Sequence, residues 1–392
     1  MRQKILILTG IFPPDVGGPA SYTSQMADLI CEKEGYSVTV VTFGDRFRSR
    51  CSYPVIRVSR SFPRPLRDLL YCLSAFWHMH DTTLIFNNGA SYDTGWIAVL
   101  AGKMFGIPVL TKVVGDGAWE YAARKGRFNG TLDDFLTDRK RDILLFLLRF
   151  SQRVVWRLSS AVLVPSRYLA SVVSFYGVAD DKIQVIYNAF LPGNPQQISA
   201  PFDSEHPQTG LVFLTAVRLV PWKGVAQLLR VFADLPAEYT LVVAGDGPER
   251  QTLETLKNEL SLSSRVRFLG DIPRNSVLSL MRSSTGFILN STYEGLPHVV
   301  LEAFACNCPV IATRAGGTAE LLGDMAGYAV ACGDMPAMRE AITSVATNRS
   351  LRENMVRKGQ EKLSEFTWDV MVSRTLELIQ DLDGRGSGER SK

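Results

Sequence analysis

At 392 residues the chain is long enough for two domains, and 46% hydrophobic with 21% charged residues is the balance of a soluble globular protein. A formal charge of +4 is too small to argue for nucleic acid as a partner. The six cysteines, Cys31, Cys51, Cys72, Cys306, Cys308 and Cys332, are scattered, which supports neither a zinc site nor a disulfide framework and makes reduced thiols the expectation.

The N-terminus starts basic, but its apolar run is too short for a signal peptide and reads as a first strand over residues 4–9. No stretch approaches the roughly 20 apolar residues of a spanning helix, so a cytoplasmic protein is expected. The loop Gly10-Ile-Phe-Pro-Pro-Asp-Val-Gly17-Gly18 follows, and then Tyr22, Met26, Leu29 and Ile30 repeat at helical spacing. Gly17 and Gly18 let backbone N–H groups approach a ligand at the mouth of a helix whose dipole favours anions; a plain tight turn is the alternative. Further strands are expected over 37–43, 55–58, 83–86 and 108–114, with helices near 65–80 and 92–105. Alternation of this kind argues for a parallel doubly wound sheet, whose ligands lie at the carboxyl ends of the strands.

The strand ending at Val114 runs into Gly115-Asp116-Gly117-Ala118-Trp119-Glu120. An acid, an aromatic and a second acid at a strand end suit sugar hydroxyls or a proton, while capping of the next helix is an equal role for Asp116. Residues 138–158 are basic and strongly apolar, with Arg139, Lys140, Arg141, Arg149, Arg153 and Arg157 among Leu, Phe, Val and Trp. The second half, 151–158, reads as a packed helix; the first half is a candidate for an anionic membrane surface.

Residues 192–208 are rich in Pro, Gln, Ser and Gly and read as a linker. A strand over 211–218 then ends at Arg218, with Lys223 and Gly224 following before a helix. Two cations at a strand end and a helix start can neutralise a diphosphate as it becomes a leaving group. The turn Gly245-Asp-Gly-Pro248 only half resembles a dinucleotide fingerprint, because Pro248 follows the second glycine and Arg250 stands where the third belongs. Beyond the strand at 286–290 comes Tyr293-Glu-Gly-Leu-Pro-His-Val-Val-Leu-Glu-Ala303. Pro297 suits a first helical turn, and helix amides from about Leu296 to Val299 lie between Glu294 and Glu302. If most of the eight steps are helical, the two acids stand roughly 8–12 Å apart along the axis, enough to grip a ribose and a hexose on either side of a diphosphate.

Glu-x7-Glu in this setting, some seventy residues after Arg-Leu-x-x-x-Lys-Gly, resembles the signature of retaining glycosyltransferase family 4, which has the two-domain GT-B fold. The loop at 13–18, Gly-Asp-x-Ala-Trp-Glu at 115–120, Gly-Asp-Gly-Pro at 245–248 and the strand closing at Asn188 look similar too, although Ala189 replaces the usual glycine. The resemblance implies two Rossmann-like doubly wound domains facing a central cleft. Residues 1–190 would form an acceptor-side domain, 191–208 the linker and 209–365 the nucleotide-sugar domain. A helix at 366–382 would cross back to the first domain, ahead of a disordered tail at 383–392.

The same resemblance implies transfer of a hexose, with retention, from a nucleotide diphosphate sugar to a hydroxyl of a saccharide acceptor. The basic, apolar stretch at 139–158 suggests in addition that the acceptor is lipid-linked, in bacterial-type surface polysaccharide or glycolipid assembly, at the inner face of the plasma membrane. Glu294 would hold the sugar hydroxyls and Glu302 the ribose, while Arg218 and Lys223 stabilise the departing diphosphate. Gly17, Gly18, Gly295, Leu296, Pro297 and Val299 would line the donor. Asp116 is the acceptor-side catalytic candidate, with Trp119 and Glu120 beside it. The only Asp-x-Asp, Asp381-Leu-Asp383, stands away from the donor motifs, so no metal and no cofactor beyond the donor is expected. A non-catalytic nucleotide-sugar-binding subunit and a sugar epimerase on the same fold are the alternative readings.

Overall fold

Short runs rich in Val, Ile and Leu become strands here because only a strand covered on both faces buries a continuous apolar sequence. In β1 (Gln3–Leu8) Ile5, Leu6, Ile7 and Leu8 are all fully buried. The computed structural model describes residues 3–15, 18–45, 51–89, 91–138, 142–190 and 210–389. These form two compact units, unit 1 comprising Met1–Ala122, Leu136–Ile186 and Asp369–Lys392, and unit 2 comprising Ala123–Phe135 and Tyr187–Trp368.

The sheet of unit 1 adds β2 (Tyr36–Phe43), β3 (Val55–Val58), β4 (Leu84–Asn87), β5 (Val109–Lys112), β6 (Ala161–Val164) and β7 (Ile183–Val185). All pairs are parallel, in the order β3-β2-β1-β4-β5-β6-β7. The helices of this half of the chain are α1 (Gly18–Cys31), α2 (Arg64–Trp77), α3 (Trp96–Phe105), α4 (Gly117–Arg124), α5 (Leu132–Thr137), α6 (Ile143–Leu158) and α7 (Arg167–Phe175), of which the end of α4 and the start of α5 fall in unit 2. Chain winding reverses between β1 and β4, and at such a switch point the loops diverge and open a crevice at the strands' carboxyl ends.

Unit 2 repeats the scheme with β8 (Leu211–Ala216), β9 (Tyr239–Ala244), β10 (Val266–Gly270), β11 (Gly286–Leu289), β12 (Val310–Thr313) and β13 (Tyr328–Val330). These are parallel in the order β10-β9-β8-β11-β12-β13, so the switch lies between β8 and β11. Its helices are α8 (Val225–Ala233), α9 (Arg250–Glu259), α10 (Arg274–Ser283), α11 (His298–Ala305), α12 (Thr318–Leu322), α13 (Met335–Thr347) and α14 (Arg349–Leu363); α15 (Trp368–Glu389) follows. Three residues are too few to show a pattern in sequence, and β13 was not among the expected strands.

The expected boundaries shift in three places. Residues 187–190 belong to unit 2, where Phe190 N donates to Phe366 O at 2.9 Å and Tyr187 Oη donates to Glu320 Oε2 at 2.9 Å. Residues 123–135 also group with unit 2, with Phe128 edge-on to Phe135 at 5.2 Å. The tail expected to be disordered from 383 is helical as far as Glu389, where it continues α15 despite Gly384, Gly386 and Gly388. Gly17, the basic run at 139–141 and the linker lie outside the described residues.

Candidate active site

In unit 2 the segments that leave β8 and β11 meet at the switch point with their backbones almost touching. Gly224 has φ +64°, and a Cβ there would stand 2.1 Å from Asn290 O. Asn290 Nδ2 ties the two segments by donating to Gly224 O at 2.9 Å. Only glycine fits, so Lys-Gly is a steric requirement as well as a motif. The Gly-Asp-Gly-Pro turn abuts the same segment. Cβ atoms on Gly245 and Gly247 would lie 2.0 Å from Val217 O and 2.4 Å from Leu219 O, and Leu219 N donates to Asp246 O at 2.9 Å. The turn therefore buttresses the stretch that carries Arg218.

Two of the sequence-derived donor residues are in direct contact. Lys223 Nζ lies 2.6 Å from Glu294 Oε1, the same oxygen that accepts from Ser291 Oγ at 2.6 Å. Glu294 O accepts from Gly317 N at 2.9 Å, which fixes the loop from the other side. Arg218 is exposed on the turn leaving β8. Glu302, inside α11, pairs with Arg274 Nε at 2.6 Å. Of these contacts, those of Ser291 and Arg274 had no signal in the sequence, because each depends on a neighbour that only folding supplies. Pro297 occupies the N-cap position of α11, one residue earlier than a first-turn proline, and no side chain caps that end. Gly295 and Val299 are half-buried around it, and Leu296 is buried. The N-terminus of such a helix favours an anion.

Unit 1 holds a cavity of about 390 Å³ at its own switch point, lined by Gly10, Asn88, Asp93, Lys112, Glu120 and Trp156 among others. Gly18 opens α1, with free space where a side chain would project. Lys112 ends β5 with Nζ 3.1 Å from the ring centroid of Tyr22, and burial pulls its ammonium well below the usual lysine range. Burial also raises the Asp93 carboxyl. A lysine within the apolar run Val109-Leu-Thr-Lys-Val-Val114 was visible in the sequence as a charge where none is expected, and it is the residue that reading passed over.

The acceptor-side expectations need correcting on two residues. Asp116 is fully buried and does not line the cavity. Its Oδ1 accepts from Trp119 N at 2.9 Å and Gln152 Nε2 at 3.1 Å, and its Oδ2 accepts from Tyr176 Oη at 2.6 Å. A buried carboxylate persists only when its lone pairs are satisfied, and here the start of α4 and two side chains do so. Trp119 is likewise core, 1% exposed, and offers no platform for a sugar. Glu120 does line the cavity.

The family described as Glycosyl transferases group 1 matches residues 196–362, and the Glycosyl transferase 4-like domain matches residues 17–189. The chain is 34% identical over 199 residues to the lipopolysaccharide core biosynthesis glycosyltransferase LpsD of Rhizobium meliloti (strain 1021), covering 50% of this chain and 57% of that protein. It is 31% identical over 175 residues to LpsE of the same organism, covering 44% and 51%. The chain thus spans about half the length of these curated relatives. The crystal structure of Anabaena Alr3699/HepE in complex with UDP and glucose superposes with a TM-score of 0.74 at 20% identity, covering 97% of this chain and all of that one. At that identity the likeness is one of fold.

Proposed function

The chain has the GT-B fold and belongs to the group 1, 4-like glycosyltransferases, and on that premise we propose that it transfers a hexose, with retention, from a nucleotide diphosphate sugar to a hydroxyl of a lipid-linked saccharide. The observation that carries this reading is the contact of Lys223 with Glu294 at the switch point of unit 2, on the segment that also bears Arg218. In the proposed reaction Arg218 and Lys223 take the diphosphate, and Glu294, released from Lys223, receives the hexose hydroxyls. Arg274 holds one oxygen of Glu302 and leaves the second for the ribose hydroxyls. The anomeric C–O bond breaks with its electron pair leaving on the diphosphate. The acceptor oxygen bonds to the same face of the anomeric carbon, and its proton passes to the departing phosphate oxygen. Fixed cations that meet developing charge need no reorganisation at that moment, which is why they lower the barrier.

The acceptor is assigned to the unit 1 cavity, whose Asn88, Asp93 and Glu120 offer groups for sugar hydroxyls. The names of LpsD and LpsE, both lipopolysaccharide core enzymes, support a glycolipid acceptor. The test is nucleotide release from UDP-, GDP- and ADP-hexoses, with the anomeric configuration of the product read by NMR. Acceptor-dependent release with a retained anomer is expected. A donor isomerised without acceptor would make the protein an epimerase, and donor binding without turnover would make it a binding subunit.

Among the described residues no group of three or more His, Cys, Asp or Glu side chains is gathered that would hold a metal ion. The proposal therefore gives charge neutralisation to Arg218 and Lys223, and turnover in excess chelator is expected to match turnover without it. Loss in chelator, restored by manganese or magnesium, would refute that part.

A further inference from the structure

Unit 1 turns an unusually apolar surface to solvent. On α2, Leu69, Leu73 and Trp77 repeat every fourth residue on one side, and Trp77 is 82% exposed. On α3, Leu100 and Met104 are exposed at the same spacing. On α6, Ile143, Phe146, Leu147 and Phe150 form a third stripe, in which Ile143 is 79% exposed and the Phe146 and Phe150 rings stack at 6.3 Å. The helices are neighbours. Phe76 of α2 meets Phe105 of α3 edge-on at 5.8 Å, and Trp96 Nε1 of α3 donates to Ser151 Oγ of α6 at 2.8 Å. Single exposed leucines call for no explanation, but three adjoining stripes mark a surface that something covers.

Charge selects the occupant. Of the cations on these helices Arg64, Lys103, Arg153 and Arg157 are exposed, while Arg67 lines the cavity beside Asp68, the helices' one acid, and Arg149 donates to Leu136 O and Asp138 O. A second copy packed on this face about a twofold axis would set like charge against like. An anionic bilayer satisfies both properties, because apolar side chains enter it while Arg and Lys meet the headgroups. Two of the same helices also wall the cavity: Arg67 lies on α2, and Gln152 and Trp156 lie on α6.

We propose that α2, α3 and α6 form the seat of unit 1 on an anionic leaflet, so that a saccharide tethered to lipid reaches the cavity without leaving the membrane. This rests on the reading of unit 1 as the acceptor side. It extends the basic stretch singled out in the sequence, since α2 and α3 lie outside that stretch and Trp77 is the most exposed of the apolar side chains.

Two double variants test it, Leu73→Ser with Trp77→Ser on α2 and Phe146→Ser with Leu147→Ser on α6. All four side chains are exposed, so thermal midpoints should stay at the wild-type value. In co-sedimentation, wild type is expected to bind phosphatidylglycerol-containing vesicles at least about tenfold more tightly than phosphatidylcholine vesicles, and each pair should lose about tenfold. Equal or absent wild-type binding to the two vesicle types, or wild-type binding by both variants, would overturn the proposal. So would a wild-type dimer in sedimentation velocity that the variants abolish, because a second copy would then be the occupant. Nucleotide release with a short water-soluble acceptor separates this from the proposed activity: the variants should retain it, and its absence from wild type would count against the activity while vesicle binding still judged the seat.

Discussion

Arg218→Ala and Lys223→Ala are each expected to lower turnover at saturating donor by about 10²–10³-fold, the usual cost of losing one donor aimed at transition-state charge. The two should differ in stability. Arg218 is exposed, so its replacement should leave the melting temperature unchanged. Lys223 neutralises Glu294, whose side chain is 10% exposed, and removing it strands a mostly buried carboxylate with Ser291 as its remaining side-chain partner. A loss of about 1–3 kcal/mol is therefore expected for Lys223→Ala, in addition to the kinetic effect. Initial rates and thermal melts on the same preparations check both parts. Wild-type turnover in both variants would remove the pair from the mechanism.

Asp116→Ala is expected to act in the opposite way, costing about 2–4 kcal/mol of stability while turnover per folded molecule stays near wild type. Three donors converge on this carboxylate, and truncation leaves the Tyr176 hydroxyl, the Gln152 amide and the Trp119 N–H facing a buried void. Glu120→Gln, which alters a cavity wall instead, should raise the acceptor KM with little change in the melt. Urea denaturation and acceptor titrations distinguish the two. A hundredfold fall in kcat for Asp116→Ala with an unchanged denaturation midpoint would return Asp116 to the chemistry.

Sequence by itself determined the architecture and where along it the residues proposed to hold the donor stand. Continuous apolar runs alternate with helical spacing, and a parallel sheet is what buries such strands on both faces. Local chemistry then places Arg218, Lys223, Glu294 and the α11 terminus, because each lies within a few residues of a strand end and a strand's carboxyl end is where a doubly wound sheet opens. Tertiary structure decided what those groups touch. Lys223 and Glu294 are 71 residues apart, and Arg274 and Glu302 are 28 apart, so no local pattern announces either pair. The motif Gly-Asp-x-Ala-Trp-Glu was legible as a motif, but the direction of its side chains was not. Asp116 and Trp119 turn inward because α6 and α7 bring Gln152 and Tyr176 over the start of α4, which leaves Glu120 to face the cavity. Helical periodicity likewise shows that α2 and α6 have apolar residues on more than one side. Which side is buried depends on where the sheet lies, and in α6 it is Val155 and Trp156 that pack inward while Phe146 and Phe150 remain in solvent.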